Sequence, residues 1–415
     1  MEARELFGMA LGLVAPWFVK TAELDRDAHK LTLVLDFKVG ARFGCPDCGA
    51  PSPVHDTAER RWRHLNFFQY ETELAARVPR TTCAHDGVKA IQVPWARPGS
   101  GFTLLFEALV VLMGEEGVTT NAMGRIVNEH DTRLWRVLNH YVTEARARAD
   151  HSKVSNIAVD ETSRAKGQSY VTTFVDPAEK RVLFVTEGRS AATVEEFKKD
   201  LEAHGGAAEN ITDVSLDMSV AFQKGLSDSF PKAKLTFDKF HVIQLANKAV
   251  DEVRRAESKQ TTVLKGTRYA WLKNAEDLDD DECAAIEKAR RVATRTASAY
   301  RFKTRLQELY TLTRPAAELE IVKWYDAAIR SPNKPIKRLG RTVRKHARGI
   351  LSHWDSLLTN GIQEGFNSLI QAAKARARGY RSFKNMRTVI YLLLGRLDFR
   401  LPALLDIPPR LLATT

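Results

Sequence analysis

The sequence contains few cysteines and no long hydrophobic run. Four cysteines among 415 residues cannot form the disulfide framework of an extracellular scaffold, so we expect a reducing compartment. The longest apolar stretch, Leu104 to Met113, is interrupted by Glu107 and falls well short of the ~20 residues that cross a bilayer. The N-terminal residues also lack the basic region and cleavage site of a signal peptide. These absences exclude a membrane-spanning protein and predict a cytoplasmic location.

Acidic residues are missing from two strongly basic segments. The chain carries 63 Lys+Arg against 51 Asp+Glu, a formal net charge of +12, and segments 331–350 and 371–387 contain no Asp or Glu. Charge of one sign that is concentrated in this way predicts a polyanionic partner such as nucleic acid, although two solvated helix faces would give the same pattern. The cations of the two segments are Lys334, Lys337, Arg338, Arg341, Arg344, Lys345 and Arg348, then Lys374, Arg376, Arg378, Arg381, Lys384 and Arg387.

The order of strand and helix patterns indicates the fold class. Hydrophobic residues make up 44% of the chain and charged residues 27%, which is typical of folded proteins, and the length allows roughly two to four domains. Three strand patterns follow one another between residues 154 and 186, and helix and strand patterns then alternate to residue 237. This order predicts an α/β domain with a mixed sheet. Only helical patterns occur between Phe240 and about Arg348, which predicts an all-helical insertion.

Two closely spaced cysteines have the spacing of a structural metal site. Cys45 and Cys48 are separated by two residues, a gap that lets both thiolates bind one tetrahedral zinc ion. Cys83 is the expected third ligand. We expect His85 to be the fourth, with His55 and His64 as alternatives; an unmetallated loop would be the remaining interpretation.

Two further patterns point to nucleic acid. Between the cysteines lie Arg60, Arg61 and Arg63 with interleaved aromatic residues, which suits a nucleic-acid face, although the aromatic residues could equally form a small core. Segment 118–142 has helix-turn-helix spacing with a turn near residues 129–131. Its expected core consists of Ala122, Ile126, Val127, Leu134, Val137, Leu138 and Val142, and Arg133 and Arg136 would face DNA.

Three acidic residues are candidates for catalysis because of their positions. Asp160 and Asp217 stand at the ends of strand patterns, where α/β folds present their chemistry. Glu364 shares one face of a helical pattern with Asn367 and Gln371, and the opposite face is apolar. Three converging carboxylates require divalent cations, which in pairs support phosphodiester displacement. Taken singly, an aspartate after a strand is more often a helix cap or a turn residue.

The chain resembles the DDE insertion-sequence transposases of the ISL3 family, which have an RNase H-like catalytic domain. The resemblance covers nearly the whole chain and rests on segments 157–161, 214–219, 237–242, 364–367 and 379–383. It implies that Asp160, Asp217 and Glu364 are the catalytic acids, and that they bind two Mg²⁺ or Mn²⁺ ions. It also implies that the helical insertion precedes the final glutamate. Family members carry a second cysteine pair where this chain has Cys83 and His85.

The resemblance implies further residues near the site and an order of domains. Asp238 and His241 would lie beside the acids, although a histidine that caps a helix or hydrogen-bonds within the core would fit equally well. Ser163, Arg164 and Lys166 are expected near the DNA backbone. Glu161 should point to the other side of its strand and is expected to be structural. The predicted segments are an N-terminal strand segment at 1–38, a zinc-binding module at 39–98, a helix-turn-helix domain at 99–150, the RNase H-like domain at 151–238, the helical insertion at 239–350 and the C-terminal helical part of the catalytic domain at 351–415.

We therefore expect a transposase that binds double-stranded DNA at the terminal inverted repeats of an insertion sequence and joins it to target DNA. Two ends must be brought together, so a homodimer on DNA is expected, in a bacterial cytoplasm and associated with the nucleoid when bound. Zinc would be structural and Mg²⁺ catalytic. The alternatives are a DNA-binding regulator with a non-catalytic RNase H-like scaffold and a stand-alone nuclease.

Overall fold

The computed structural model describes residues 2–165, 169–218, 220–355 and 361–402. These residues form two compact units, one made of residues 2–146 with 397–402 and the other of residues 147–396. In the part of the chain that is described, none of the helices combines the length and apolarity that a membrane span needs.

The first unit begins with a helix and one mixed sheet. The sheet order is β1-β2-β5-β4-β3, with β6 beside β5. β4 and β5 form a long antiparallel hairpin, and β2 joins β5 in parallel. The predicted strands near residues 17–24 and 31–37 are confirmed, and they share this sheet with the metal-binding segment. The elements are α1 (Ala3–Ala10), β1 (Trp17–Asp25), β2 (Lys30–Phe37), β3 (Arg42–Gly44), β4 (Pro51–Phe67), β5 (Tyr70–Cys83) and β6 (Gly87–Ala90).

Apolar residues at every second position build the core on one face of this sheet. Leu31, Leu33 and Leu35 alternate along β2 and are almost fully buried, as the two-residue period of a strand requires. The ring centroids of Trp17 and Trp95 lie 4.9 Å apart in an edge-to-face arrangement. Of the aromatic residues between the cysteines, Trp62 is buried in this core, whereas Phe67 and Phe68 are exposed. The interpretation of these residues as a small core therefore holds for Trp62 and not for the two phenylalanines.

Three helices follow in the first unit: α2 (Leu104–Glu115), α3 (Thr120–Val127) and α4 (Asp131–Ala147). The turn between α3 and α4 requires Gly124, because a Cβ there would lie 2.7 Å from the Glu129 carbonyl oxygen. The expected core positions on α4 are buried. Ile126 was expected to be buried but is 62% exposed, and Met123 occupies the core instead. The buried side of α3 is thus formed by Met123 and Val127, and Ile126 lies on the exposed side of the helix.

The second unit contains a five-stranded sheet in the order β11-β10-β7-β8-β9. β7, β8 and β9 are antiparallel, and β10 and β11 run parallel to β7. This mixed α/β layout confirms the predicted fold class and matches the RNase H-like arrangement that the resemblance implied. The elements are β7 (Asn156–Ser163), β8 (Tyr170–Asp176), β9 (Arg181–Glu187), α5 (Ala191–Ala203), β10 (Asp213–Leu216), α6 (Val220–Ser229) and β11 (Lys234–Phe237).

Helices make up the rest of the second unit. Within the described residues from 239 to 355 every regular element is helical, which confirms the predicted insertion. The insertion and the sheet share one apolar cluster that includes Phe237, Trp324 and Val343. Gly349 packs so closely on Phe237 that a Cβ would lie 2.3 Å from the ring. The helices are α7 (Lys239–Glu257), α8 (Arg268–Leu272), α9 (Asp280–Arg290), α10 (Thr294–Glu308), α11 (Arg314–Arg330), α12 (Lys334–Leu351), α13 (Gly361–Arg376) and α14 (Phe383–Leu394).

Candidate functional site

Asp160, within β7, and Asp217, directly after β10, occupy equivalent positions relative to the pairing of these two parallel strands. The last paired residues of β7 and β10 are Ala158 and Ser215. Asp160 comes two residues after Ala158, and Asp217 comes two residues after Ser215. Asp160 does not end its strand, because β7 continues to Ser163 in its pairing with β8. Burial raises the pKa of Asp160, and the charge of Asp217 raises it further. The two carboxylates are therefore close enough to repel each other at one edge of the sheet.

Helix α13 lies along β7 and contacts it with one polar face. The Asn367 side-chain amide donates a hydrogen bond of 2.5 Å to Asp160 Oδ2. One turn later Gln371 donates to the Thr162 hydroxyl, and Lys374 Nζ donates to the Ser163 carbonyl oxygen at 2.7 Å. The spacing of these three residues is that of one helix face.

Glu364 precedes Asn367 by three residues and so belongs to the same face of α13. Its side chain is exposed and lines a cavity of about 610 Å³ together with Thr236, Phe237 and Asp238 at the end of β11. The third acid thus lies beside the strand ends that adjoin Asp217, on the helix that holds Asp160 in place.

The described residues contain two sets of three or more His, Cys, Asp or Glu side chains whose ligand atoms all lie within 4.8 Å of one another, and the trio of Asp160, Asp217 and Glu364 is not one of them. One set consists of His151, Asp200 and His204, where the chain enters β7 and α5 ends. The other set lies in the first unit and is described below.

A histidine and an aspartate at the start of α7 lie near Asp160. His241 Nδ1 lies 2.8 Å from Asp238 Oδ2, and Asp238 also caps α7 by accepting from the Phe240 backbone N–H. Burial lowers the pKa of His241, but the hydrogen bond to Asp238 and the charges of Asp160 and Asp217 outweigh burial and raise it overall. His241 thus lies within reach of the charges of both acids, and it is also hydrogen-bonded to a helix-capping aspartate, as the alternative interpretation expected.

Glu161 lies in the same electrostatic environment, although a structural role on the other side of the strand was expected. Burial raises the pKa of Glu161 to about 7, and the charge of Asp217 adds to this effect. Arg189 acts in the opposite direction. The signal that could have identified Glu161 is its place directly beside Asp160, at the point where the pairing of β7 with β10 has ended and both side chains can approach Asp217.

The second set of metal-ligand atoms contains the three predicted cysteines. Cys45, Cys48 and Cys83 come together with Asp86. His85, the expected fourth ligand, is exposed and outside this set, as is His55. The other alternative, His64, lies 2.8 Å from the Thr103 hydroxyl, and burial lowers its pKa to about 4. Sequence reasoning missed Asp86, whose signal is the two-residue gap that follows Cys83.

These donors fit a zinc ion. Thiolates with one further small ligand form the usual tetrahedral zinc sites, with Zn–S bonds of about 2.3 Å. The carboxylate of Asp86 raises the pKa of the Cys48 thiol to about 12, because a neighbouring negative charge disfavours the thiolate. A divalent cation reverses this effect because it stabilises thiolate and carboxylate together.

Most of the predicted DNA-binding cations are accessible. In the second unit α12 buries an apolar stripe and exposes its cations, of which Arg338 forms a 2.6 Å ion pair with Glu252. The exposed members of the predicted set are Arg60, Arg61, Arg136, Arg338, Arg341, Arg344, Lys345, Arg376, Arg378, Arg381 and Lys384; Arg133, Lys337 and Lys374 are half-buried.

Two residues of the predicted DNA contacts are engaged within the first unit. Arg63 is buried and donates to the Thr72 carbonyl oxygen at 3.3 Å, so its guanidinium supports the fold of the first unit. Arg133 is bound to Glu129 at 2.6 Å and covers the Phe102 ring. Lys166 lies outside the described residues.

The comparisons with known proteins agree with this architecture. Residues 157–390 match a family described as transposase, residues 91–142 match the helix-turn-helix domain of transposase family ISL3, and residues 41–86 match the zinc-finger of transposase IS204/IS1001/IS1096/IS1165. The chain is 28% identical over 354 residues to the transposase for insertion sequence element IS1001 of Bordetella parapertussis, covering 81% of this chain and 85% of the relative. It is 27% identical over 375 residues to the transposase for IS1557 of Mycobacterium tuberculosis, covering 81% and 82%. With a match that spans more than half its length and the expected order of zinc-binding, helix-turn-helix and DDE segments, the chain belongs to the ISL3 family of insertion-sequence transposases.

Proposed function

We propose that this chain cleaves DNA at the terminal inverted repeats of its insertion sequence and transfers the freed strand to target DNA. The observation that supports the proposal is that two aspartates stand at equivalent positions of adjacent parallel strands, while α13 donates a hydrogen bond from Asn367 to one of them and carries Glu364 one turn before Asn367. Sheet edges of this kind are where α/β folds place their reacting groups.

Asp160, Asp217 and Glu364 would hold the catalytic ions of this site. Mg²⁺ prefers carboxylate oxygens, and a pair of such ions activates the attacking oxygen and stabilises the leaving oxygen in phosphodiester displacement. A half-buried Asp160 beside Asp217 suits this role, because burial and the charge of Asp217 hold the pKa of Asp160 above its ordinary value until a cation offsets them.

The other residues of the site would position the acids and the DNA. Asn367 fixes the Asp160 carboxylate by its hydrogen bond. Asp238 orients the His241 ring, whose positive form offsets the local negative charge. The accessible cations of α12 and of the segment after α13 would neutralise DNA phosphates. The zinc-binding and helix-turn-helix segments would recognise the terminal repeats. The whole chain would act as a homodimer on DNA.

The test is the Glu364→Gln variant of the full-length protein with DNA that carries the native terminal repeats. We expect Mg²⁺-dependent cleavage to be abolished and binding of the same DNA to be unchanged, because glutamine keeps the size of the side chain but removes its charge. Glu287→Gln, an exposed acid of α9, is the matched control and should cleave like the wild type.

Each other result has a definite meaning. Cleavage by the Glu364→Gln variant would overturn the assignment of that residue. Binding without cleavage by the wild type, in Mg²⁺ and in Mn²⁺, would indicate the regulator instead, and cleavage without strand-transfer products would indicate a nuclease.

A further inference from the structure

The metal-binding segment of the first unit presents its ligands from two similar turns. Cys45 and Cys48 lie in the turn between β3 and β4, where the Cys45 N–H donates to the Ala50 carbonyl oxygen at 3.0 Å and the Gly49 N–H to that of Cys45 at 2.9 Å. Cys83 and Asp86 lie in the turn between β5 and β6, which is closed by the pairing of Cys83 with Gly87. In both turns two residues separate the two side chains that point at the cluster.

We propose that Asp86 is the fourth zinc ligand, so that this chain binds zinc through three thiolates and one carboxylate. Asp86 Oδ2 lies 3.3 Å from Cys45 Sγ and 3.4 Å from Cys83 Sγ, and Cys48 Sγ lies 3.4 Å from Cys83 Sγ. A tetrahedral ion with bonds of about 2.3 Å to sulfur and 2.0–2.2 Å to oxygen separates its ligand atoms by about 3.5–3.8 Å. Shifts of a few tenths of an ångström therefore convert the cluster into a zinc site.

The backbone of each turn supports the same assignment. The backbone N–H groups of His85 and Asp86 hydrogen-bond to Cys83, and the backbone of Ala50 makes the corresponding contact to Cys48. His85 thus serves the site with its backbone while its imidazole is exposed. The match to the zinc-finger family also ends at residue 86.

A carboxylate in this place changes the properties of the site without changing its charge. Three thiolates and one carboxylate carry the same total charge as four thiolates. Oxygen is a harder donor than sulfur, and zinc is a borderline-soft ion that thiolates suit well. The site should therefore bind zinc less tightly than the same site with a fourth cysteine, and it contains one oxidisable ligand fewer.

Cobalt substitution of the full-length protein tests the assignment and does not depend on the proposed activity. Co²⁺ titrated into the metal-free protein reports each Co–S bond through its charge-transfer absorption. We expect Asp86→Cys to raise this absorption by about one third, from three bonds to four, and to tighten binding. Asp86→Ala should weaken Co²⁺ and Zn²⁺ binding by at least about tenfold, since even outer-sphere partners are worth that much. His85→Ala is the matched control and should retain the wild-type spectrum and affinity.

Two results would overturn the proposal. One is a loss of affinity in His85→Ala as large as that in Asp86→Ala. The other is an Asp86→Cys spectrum with the wild-type charge-transfer intensity in a protein whose circular dichroism shows it to be folded. Because Asp86→Cys is a gain of signal, a folding defect in Asp86→Ala does not decide the question.

Discussion

At the scale of single residues, the Asp160 carboxylate accepts two hydrogen bonds, one from the Glu161 backbone N–H at 2.7 Å and one from the Asn367 side-chain amide. Asn367 gives Asp160 a hydrogen bond donor in a place where burial and Asp217 both disfavour the charged carboxylate. A neutral donor lowers the cost of keeping Asp160 ionised without competing for the ions that it would bind. On the proposed function Asn367 would be a positioning residue that acts through Asp160, and Glu364 lies on the same face of α13.

Replacing Asn367 with alanine should reduce DNA cleavage by about 10- to 100-fold, the range typical of residues that orient metal ligands. The cause is a less well-oriented Asp160, so the Mg²⁺ concentration for half-maximal rate should rise as well. A metal titration of the cleavage rate measures both effects.

Ser368→Ala, one position further along α13 and exposed, provides the comparison and should behave like the wild type. If the Asn367 variant lost activity with an unchanged Mg²⁺ dependence, Asn367 would act in some way other than by orienting a metal ligand.

At the scale of elements, periodic patterns in the sequence predicted most of the helices and strands. They did not predict strand pairings or side-chain contacts between segments that are distant in the chain. The strands around Asp160 and Asp217 could be predicted because their apolar runs are local. The parallel pairing of β2 with β5 could not, because it joins residues about forty positions apart along the chain. Asp86 and Glu161 were missed for a similar reason: their roles depend on which side chains another loop or strand brings beside them, and this is fixed only by the tertiary fold.

Helix α8 depends on a buried lysine from another helix. Lys303 is fully buried, and its Nζ donates to the carbonyl oxygens of Trp271, Leu272 and Lys273 at 3.2, 2.8 and 2.5 Å. These carbonyls have no partner within the short helix that they end. Replacing Lys303 with methionine should therefore lower the free energy of unfolding by about 1–3 kcal/mol, the cost of leaving buried acceptors unsatisfied.

The pH dependence of this effect has a definite sign. Burial lowers the pKa of Lys303 to about 8 from its ordinary value of 10.5, so between these pH values the folded chain binds fewer protons than the unfolded chain. The free energy of unfolding of the wild type then rises with pH in this window. The methionine variant lacks that increase, so its deficit should grow between pH 8 and pH 10.5, as urea denaturation at both ends would show. Parallel pH profiles would contradict the assignment.

At the scale of the whole molecule, part of the net positive charge of +12 is concentrated on the exposed side of the amphipathic helix α12. Its apolar stripe, including Ile336, Val343 and Ile350, is buried, and its basic residues are left on the outside. Cations fixed on a folded surface attract DNA by releasing counterions from the phosphates, which makes binding steeply dependent on salt. On the proposed function, the charge excess would contribute to DNA affinity rather than to sequence recognition.

Neutralising Arg341, Arg344 and Lys345 together with glutamine should weaken DNA binding at all sequences alike. Each phosphate contact contributes about 0.9 to the slope of log affinity against log salt concentration, so the slope should become shallower by about 2–3. Because all three side chains are exposed, the fold should be retained. Arg290→Gln, which removes an exposed cation paired with Glu287 at 2.6 Å, should leave the slope unchanged. A triple variant with the wild-type slope would show that α12 lies away from the DNA, and the segment after α13 would then have to supply the phosphate contacts.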